Sequence, residues 1–317
     1  MKPMKPMKAE TCEDKDLSKL RFPLVASIKL DGIRCVIKDK EPLSNTLKPI
    51  RNAHIFSSIN TDPYATCFNG FDSELLLTDT ENPEVPGKHP FNQVSSAVMN
   101  GSGQPDFTMW VFDNWNDGRS FEQRYGYLHD VFTTNRDCIP SFIKLLPQIL
   151  CNNLAELAAF EEQALLDGYE GIMVRELCGK YKFGRSTLKG QELLKRKPFV
   201  DEECVVIGFE ERMTNTNEAV VNELGHSKRS QAQEGMIPAN TLGKFLVRNK
   251  KWGDFTLGCG KLTHAEAKHI WDNKAAFIGK IATFKYQSIG TLDKPRILTF
   301  KAFRDPADMT PEQLAVL

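Results

Sequence analysis

Lys29 is the residue whose type and setting most directly indicate chemistry. It opens the run KLDGIR, in which Asp31-Gly32 form a predicted turn and Arg34 follows. A lysine amine is a strong nucleophile only when neutral, and at its ordinary pKa of about 10.4 it is protonated at pH 7. Nearby cations and a dry pocket lower that pKa, and Arg34 offers a fork of donors to a phosphate or ribose. Lys29 is therefore a candidate nucleophile; the alternative is an exposed turn whose lysine has no role.

Two carboxylates, an aromatic ring and a pair of lysines follow along the chain. Glu74 lies in a β-rich run, Phe112 lies in VFD, and Glu170 opens EGIM. Lys195 and Lys197 stand two apart on a predicted strand, so both amines point to the same side and can reach one phosphate. The carboxylates suit a hard metal ion and a ribose, and the lysine pair would neutralise phosphate charge. Together with Lys29, these residues are the parts for nucleotidyl transfer.

Composition limits the classes of protein that fit. The chain has 317 residues, enough for two domains, and no apolar run long enough to span a bilayer. The eight cysteines are irregularly spaced, which favours free thiols in a reducing cytosol over a zinc site or a disulfide framework. A formal net charge of zero argues mildly against a nucleic-acid partner. Basic residues are nevertheless concentrated in residues 180–197, which allows a basic groove.

The elements that must position these residues are predicted from periodicity and turn signals. Residues 23–37 are predicted to form a β-hairpin or two short strands around the Asp31-Gly32 turn. Capping residues at Asn153 and Gly168 bound the clearest helix, 154–167. Further strands are predicted at 71–77, 107–113, 169–175, 204–210, 242–249, 280–287 and 297–303, and further helices at 91–100 and 264–273. The fold class is therefore α+β, and the late strands suit a small β-barrel such as an OB-fold.

The order of the motifs identifies a resemblance. KLDGIR, SELL, VFD, EGIM and LLKRK resemble, in order, the motifs of the covalent nucleotidyltransferase superfamily, which comprises ATP-dependent DNA ligases, RNA ligases and mRNA capping enzymes. The stretches LSNTLKPIRN (43–52) and YKFGRSTLKGQELLK (181–195) resemble the minimal two-domain viral or phage DNA ligases typified by the chlorella virus enzyme. The polar segment 215–230 is similar to their DNA latch, and PRILTFKAFRDPADM (295–309) is similar to their last motif.

The first residues are polar and contain two prolines, which predicts a flexible tail at 1–20. The resemblance implies the domain plan that follows the tail. Residues 21–198 would form the adenylylation domain, an ATP-grasp-like nucleotidyltransferase fold of antiparallel sheets with helices. Residues 199–317 would form an OB-fold β-barrel, with 198–203 as linker and a latch insertion at about 212–240. We expect the latch to be disordered without DNA.

The resemblance also implies roles for individual residues. Lys29 would attack the α-phosphate of ATP, and the resulting lysyl-AMP would pass its AMP to the 5′-phosphate of a nick, which the 3′-hydroxyl then attacks. ATP binding is assigned to Ser27, Ile28, Lys29, Arg34, Glu74, Phe112, Met173, Lys195 and Lys197, with Phe112 and Met173 sandwiching the adenine and Glu74 holding the ribose. Catalysis is assigned to Lys29, Asp31, Lys195 and Lys197, and metal binding to Glu74 and Glu170. Arg304 and Asp308 would orient pyrophosphate, and Lys48, Arg51, Arg185, Lys228 and Arg229 would contact DNA.

The implied cofactors are ATP and Mg²⁺ or Mn²⁺, and the implied partner is nicked duplex DNA. We expect a monomer that encircles the nick, works in DNA replication, repair or recombination, and contacts no membrane. The expected location is the cytoplasm, or the host cytoplasm for a viral or phage protein.

The chain departs from the family pattern at three places. Asn45 follows Ser44 where the family has an arginine expected to contact the nick 5′-phosphate, and our hypothesis is that Arg51 or Lys48 compensates. Ser73 replaces a usual glycine, and the last motif lacks the second proline of its usual Phe-Pro element.

Three other functions remain open at this point. A capping guanylyltransferase would use GTP, and an RNA ligase would usually lack the barrel. A non-catalytic OB-type nucleic-acid-binding protein would have no reason to keep Lys29, Glu170 and the lysine pair together.

Overall fold

A computed structural model describes residues 3–60, 67–136, 139–197, 199–221, 227–230, 232–260, 262–287, 295–309 and 317. The chain divides into two compact units, Met1–Lys197 and Pro198–Leu317, next to the predicted domain boundary. Within the described ranges, no helix is both long and apolar enough to cross a membrane. The cysteines described there, at 12, 35, 67, 151, 178, 204 and 259, are free thiols, and Cys138 lies outside the described residues.

The described part of the first unit contains two five-stranded sheets. The strands are β1 (Glu10–Thr11), β2 (Leu24–Ile28), β3 (Ile33–Lys38), β4 (Glu41–Leu43), β5 (Phe71–Leu77), β6 (Phe107–Asn114), β7 (Ile143–Leu145), β8 (Ile149–Cys151), β9 (Ile172–Glu176) and β10 (Leu194–Arg196). The first sheet has the order β1-β10-β9-β2-β8 and the second β4-β3-β5-β6-β7. The pairs are antiparallel, as predicted, except β1 with β10 and β6 with β7 at the sheet edges.

Helices cover one face of each sheet. They are α1 (Ala53–Ile59), α2 (Phe91–Met99), α3 (Phe121–Thr134) and α4 (Leu154–Leu166). On β5, Phe71 and Leu75 point into a core shared with apolar residues of α1, α2 and α3, while Glu74 points to the opposite face. Helix α4 covers the first sheet and begins as predicted, with the Asn153 side chain accepting a hydrogen bond from the Glu156 N–H at 3.0 Å.

The chain passes from one sheet to the other at Lys29–Gly32. Strand β2 pairs with β8 and β9, whereas β3 pairs with β4 and β5. The run around Asp31-Gly32 is therefore two separate strands, the second of the two predicted possibilities, and not a hairpin. A side chain at Gly32 would collide with the carbonyl oxygen of Leu75, so glycine permits close packing of this crossing against β5.

The prediction of a flexible tail at residues 1–20 is wrong for the described residues 3–20, which are part of the folded first unit. Strand β1 pairs with β10, and a 3₁₀ helix follows at Asp14–Lys19. Met7 is fully buried, and Cys12 and Asp16 are also buried. The sequence lacks a strong strand signal here because the segment is ordered by pairing to the edge of β10, far along the chain, and not by its own periodicity.

Shortening the Met7 side chain should therefore destabilise the first unit. We expect Met7→Ala to lower the free energy of unfolding by about 2–5 kcal/mol, the usual cost of truncating a buried methionine to alanine. Denaturant unfolding of the full chain measures this change, with exposed Pro3→Ala as the control. A Met7→Ala midpoint equal to that of Pro3→Ala would contradict the packing.

The second unit is built on a closed five-stranded barrel of order β11-β14-β15-β17-β16, as an OB-fold requires. Its elements are β11 (Val200–Asn215), β12 (Ala219–Val221), β13 (Ser227–Arg229), β14 (Met236–Asn249), β15 (Gly253–Gly258), α5 (His264–Asp272), β16 (Ile281–Gln287) and β17 (Arg296–Arg304). Phe245, Phe284 and Phe300 lie in the barrel core. Strand β11 begins at Val200, inside the predicted linker, because it pairs with β16 along that stretch.

Strands occupy much of the predicted latch at 212–240. Strands β11 and β14 continue pairing as far as Asn215 with Met236, and β12 pairs with β13 in a separate two-stranded sheet. Backbone hydrogen bonds stabilise such a ribbon with little apolar content, which is why its composition indicates an irregular loop. Residues 222–226 and 231 lie outside the described residues, and disorder without DNA stays a prediction.

Candidate active site

A pocket of about 680 Å³ lies in the first unit. It collects most of the predicted nucleotide-binding residues, which come from both sheets. Those lining it are Ser27, Ile28, Lys29, Arg34, Glu74, Phe112, Met173, Arg185 and Lys195. The predicted catalytic residues Asp31 and Lys197 do not line the pocket. Lys197 pairs with Glu170 beside it, and the charge of Asp31 acts on the lining residue Glu74.

Strand register explains why these side chains meet. In the first sheet, Ser27 on β2 is paired with Met173 on β9, which in turn is paired with Lys195 on β10. In the second sheet, Arg34 on β3 is paired with Glu74 on β5. Directly paired residues project to the same face of a sheet, so each row presents its side chains together. The pocket is thus lined by one row from each sheet, connected through Lys29.

A β-bulge directs the Phe112 ring. The pairing between β5 and β6 shifts between Asp72 and Ser73, which are opposite Asp113 and Val111, so Phe112 has no direct partner. Bulges re-aim side chains in this way. The Arg34 guanidinium lies 5.1 Å from the ring centroid and that of Arg175 lies 5.5 Å from it. The ring is therefore placed in the pocket wall and supported by two cations.

Lys29, Glu170 and Lys197 form a triad at the pocket edge. One carboxylate oxygen of Glu170 pairs with Lys29 and the other pairs with Lys197. The Glu170 side chain is 2 % exposed, and those of Lys29 and Lys197 are 18 % and 12 % exposed. The backbone N–H of Lys29 donates to the backbone carbonyl of Gly171 at 2.8 Å. This hydrogen bond links the motif KLDGIR to the motif EGIM. Gly171 has a φ of +143°, and a side chain there would collide with the Arg196 carbonyl.

The electrostatics of the triad follow from burial and proximity. Burial alone would raise the pKa of Glu170, but Lys29 and Lys197 more than offset it and the pKa is lowered. The pKa of Lys197 is lowered by burial and by Lys29, and the pKa of Lys195 by burial, Lys29 and Arg185. The positive charges of Lys29, Lys195 and Lys197 therefore repel one another, and a bound phosphate would reduce this repulsion.

Glu74 faces the same lysine from the other sheet. Burial raises the pKa of Glu74 to about 7, although the charges of Lys29 and Arg34 oppose this. In the native protein its carboxyl group therefore holds its proton to a higher pH than in the unfolded chain, where the value is 4.5. The carboxylate form, which a metal would require, predominates above about pH 7.

This pKa predicts how stability depends on pH. Between pH 4.5 and 7 the folded state binds the Glu74 proton and the unfolded state does not, so the free energy of unfolding should fall as pH rises through this window. Glu74→Gln lacks this proton and this slope. We expect the melting temperature of Glu74→Gln, minus that of the wild type, to increase from pH 4.5 to 7.5. A difference that is constant or decreases would contradict the raised pKa.

The Arg34 guanidinium also has partners within the protein, and its role toward a nucleotide stays a prediction. Its Nε donates to Asp72 Oδ1 at 2.6 Å and one terminal nitrogen pairs with the other oxygen, so one edge of the fork is occupied within the protein. The Tyr181 hydroxyl donates to the same carboxylate at 2.5 Å. Arg34 lines the pocket, and its paired guanidinium also lies against the Phe112 ring. The sequence could not predict this, because Asp72 comes from a neighbouring strand.

A second buried carboxylate was missed by sequence reasoning. Asp113 is fully buried and accepts hydrogen bonds from Arg124 Nε at 2.7 Å and from Arg175. Arg175 also lines the pocket, and its guanidinium lies 4.7 Å from the Phe121 ring centroid. The only sequence signal was their position in motifs, since Asp113 follows Phe112 and Arg175 ends the run EGIMVR.

The predicted metal ligands come from different sheets, since Glu74 lies on β5 and Glu170 lies just before β9. Glu170 and Glu74 offer the carboxylate oxygens that Mg²⁺ prefers, and one or two carboxylates plus substrate phosphates are a usual magnesium site. Asp31 adds negative charge that acts on both Glu74 and Lys197. Across the described ranges, no group of three or more His, Cys, Asp or Glu side chains is placed to hold a metal. The donor set therefore fits a cation shared with a bound nucleotide.

The predicted DNA contacts are only partly brought together. Arg185 lines the pocket, and its guanidinium donates to the Ala9 carbonyl at 3.2 Å. Lys48 and Arg51 do not line the pocket; the Lys48 carbonyl accepts from the Ser44 N–H at 2.8 Å in a turn that presents Asn45. Lys228 and Arg229 lie on β13, where the Arg229 side chain bonds to a backbone carbonyl.

The predicted pyrophosphate-orienting residues lie in the second unit. The Arg304 guanidinium donates to Glu203 at 2.7 Å and to the Asp308 carbonyl at 3.3 Å. The two residues are therefore neighbours, but Arg304 is held by a carboxylate of its own barrel.

Comparison with known proteins shows the family to which the chain belongs. Residues 6–197 match the family model described as the ATP dependent DNA ligase domain. The chain belongs to this family. A crystal structure of chlorella virus DNA ligase-adenylate is 30 % identical, covers 95 % of this chain and 98 % of its own, and superposes with a TM-score of 0.52. This confirms the predicted resemblance and the predicted two-part fold.

Curated relatives extend the family match over different lengths. A DNA ligase of Haemophilus influenzae is 24 % identical over 280 residues, which are 87 % of this chain and 85 % of the relative. A DNA ligase of African swine fever virus is 24 % identical over 170 residues, which are 53 % of this chain. The match spans only 36 % of that viral ligase, so the viral enzyme is much longer than the part compared.

Proposed function

We propose that this protein is an ATP-dependent DNA ligase that seals nicks through a lysyl-AMP intermediate. The observation that carries the proposal is the triad of Lys29, Glu170 and Lys197 at the edge of a pocket lined by Phe112 and Met173. A lysine beside a pocket lined by an aromatic ring and a methionine suits a nucleotide whose α-phosphate lies next to the amine. The family match supports ATP as that nucleotide.

In the first step the deprotonated Nζ of Lys29 attacks the α-phosphorus. The nitrogen–phosphorus bond forms, the bond to pyrophosphate breaks, and the lysine proton is lost. Lys195 and Lys197, crowded beside Lys29, stabilise the negative charge that develops on the phosphoryl oxygens. Phe112 and Met173 hold the base, and Glu74, in its carboxylate form, binds the ribose.

A divalent cation held by Glu170 or Glu74 together with the nucleotide phosphates would supply further neutralisation of phosphate charge. Such a cation would also compete with Lys29 for the Glu170 carboxylate. The lysine would then lose its ion-pair partner when the nucleotide is in place. Asp31, in the segment Lys29–Gly32 where the chain passes between the two sheets, adds a further negative charge that acts on Glu74.

The later steps use DNA. AMP passes from Lys29 to the 5′-phosphate of a nick, and the 3′-hydroxyl then attacks this phosphate and releases AMP. Arg304 and Asp308 orient pyrophosphate in the first step, and the polar ribbon around Lys228 and Arg229 contacts the duplex as a latch. The protein acts as a cytoplasmic monomer that encircles the nick.

Nucleotide labelling tests this function. Wild-type protein is incubated with Mg²⁺ and either α-³²P-ATP or α-³²P-GTP. One portion is denatured and run on a gel to detect the covalent label, and a second, native portion is freed of nucleotide and chased with nicked DNA or nicked RNA. We expect a covalent label from ATP only and transfer to nicked DNA. Label from GTP would indicate a capping enzyme, transfer only to RNA an RNA ligase, and no label a non-catalytic binder.

A further inference from the structure

A cationic wall of the pocket includes a residue that the motifs do not contain. Lys8, Arg185 and Lys195 line the same pocket as Lys29. Lys8 and Arg185 are neighbours through backbone pairing: the Lys8 N–H donates to the Gly184 carbonyl at 2.7 Å, and the Ser186 N–H donates to the Lys8 carbonyl at 2.8 Å. The buried Met7 side chain fixes the segment from the other side. Lys8 is therefore held in place by its backbone while its side chain is exposed.

Some of the cations that line the pocket are paired with carboxylates and others are not. Arg34 is paired with Asp72, Arg175 with Asp113 and Lys29 with Glu170. Within the described residues, no carboxylate pairs with Lys8. An exposed cation held at a pocket wall, beside an arginine and a half-buried lysine, attracts an anion from solution.

The proposed reaction needs a second phosphate in this pocket. Lys29, Lys195 and Lys197 surround the position of the nucleotide α-phosphate. The phosphate that accepts AMP must approach the same phosphorus, and two negative phosphates repel each other. Another part of the pocket is lined by Ser44, Asn45 and Thr46, which carry no charge. Lys48 and Arg51, expected to compensate for Asn45, do not line the pocket, whereas Lys8 does.

We propose that Lys8 binds the 5′-phosphate of the nicked strand and positions it for AMP transfer, an inference that rests on the proposed ligase function. In this step an oxygen of the 5′-phosphate attacks the phosphorus of lysyl-AMP. The phosphorus–nitrogen bond breaks, a phosphorus–oxygen bond forms, and the Lys29 nitrogen takes up a proton. Lys8 exchanges no proton; its positive charge offsets the repulsion between the two phosphates.

Single-turnover transfer from pre-adenylylated full-length protein to nicked DNA tests the proposal. Loss of one charge-assisted hydrogen bond predicts that Lys8→Ala slows transfer by about tenfold to a hundredfold. Self-adenylylation of the same variant should slow far less, since Lys8 acts on the acceptor phosphate. Lys8→Arg should keep most of the transfer rate. Lys189→Ala is the control: it removes an exposed lysine of the basic segment 180–197, which includes Arg185, but Lys189 does not line the pocket, so this variant should transfer like the wild type.

A second-site variant sharpens the result. Asn45→Arg in the Lys8→Ala background places a cation on another part of the same pocket and should restore most of the lost transfer rate. The proposal is overturned if Lys8→Ala transfers at the wild-type rate, if self-adenylylation and transfer fall equally, or if Asn45→Arg restores nothing. Failure of the wild type to become labelled would instead overturn the ligase function, and this inference with it.

Discussion

Lys29→Arg is expected to abolish covalent labelling by ATP while the protein stays folded. Arginine keeps the positive charge that pairs with the buried Glu170 carboxylate, so the triad retains its ion pairs. Its guanidinium is not deprotonated in proteins and cannot act as the nucleophile. A denaturing gel after incubation with labelled ATP and Mg²⁺ should therefore show no labelled protein. The melting temperature should remain close to that of the wild type.

Lys29→Ala is the companion variant. It also removes the label, but it leaves Glu170 with Lys197 as its remaining lysine, so the melting temperature should fall. Lys38→Arg, at an exposed ion pair with Asp39, makes the same substitution away from the pocket and should label normally. Label on Lys29→Arg at the wild-type level would show that another residue is the nucleophile.

Asp113→Ala is expected to produce the largest loss of stability. It would leave the guanidinium groups of Arg124 and Arg175 buried without their shared carboxylate, since their side chains are 1 % and 4 % exposed. Removing one partner of a buried ion pair costs about 3–5 kcal/mol, because the remaining charge is neither solvated nor paired. Because Arg175 supports the Phe112 ring, the affinity for ATP should fall as well.

Hydrogen exchange on β5 and β6 during denaturant unfolding would measure this loss within the first unit. Glu84→Ala provides the matched comparison in that unit. It also breaks an ion pair, with Lys144 at 2.6 Å, but the Glu84 side chain is 87 % exposed. Exposed pairs contribute about 0–1 kcal/mol, so this variant should be nearly neutral. Equal effects of the two variants would mean that burial of Asp113 does not determine its contribution.

The predictable parts of the fold are those with local signals. Helix α4 begins after Asn153 and is followed by Gly168, and β5 matches the predicted strand at 71–77. Lys29, Glu74, Phe112 and Met173 were found because each lies in a short motif, and all four line the pocket. Such features depend on residues close in sequence, where turn chemistry and alternation act directly.

The remaining features depend on residues far apart in sequence. Strand β1 is ordered only because it pairs with β10. The hydrogen bonds of the Arg34 guanidinium depend on Asp72 and Tyr181, which are distant in sequence. The Phe112 bulge is a property of two strands in register, not of either strand alone. Helix α3 was not predicted, because its buried face includes the charged Arg124 between Phe121 and Leu128 and so lacks a continuous apolar stripe in the sequence.

The triad around Glu170 also determines how the net charge differs between the unloaded protein, with a free Lys29, and the loaded protein, with AMP attached to Lys29. In the unloaded form Lys29 and Lys197 together exceed the charge of Glu170 by one. Attachment of AMP removes the positive charge of Lys29 and adds the negative charge of a phosphoramidate. Because the chain has a formal net charge of zero, these two changes move it clearly to the acidic side of neutrality. Isoelectric focusing or anion-exchange chromatography of a freshly purified sample should therefore separate the two forms and report the fraction already loaded in the cell.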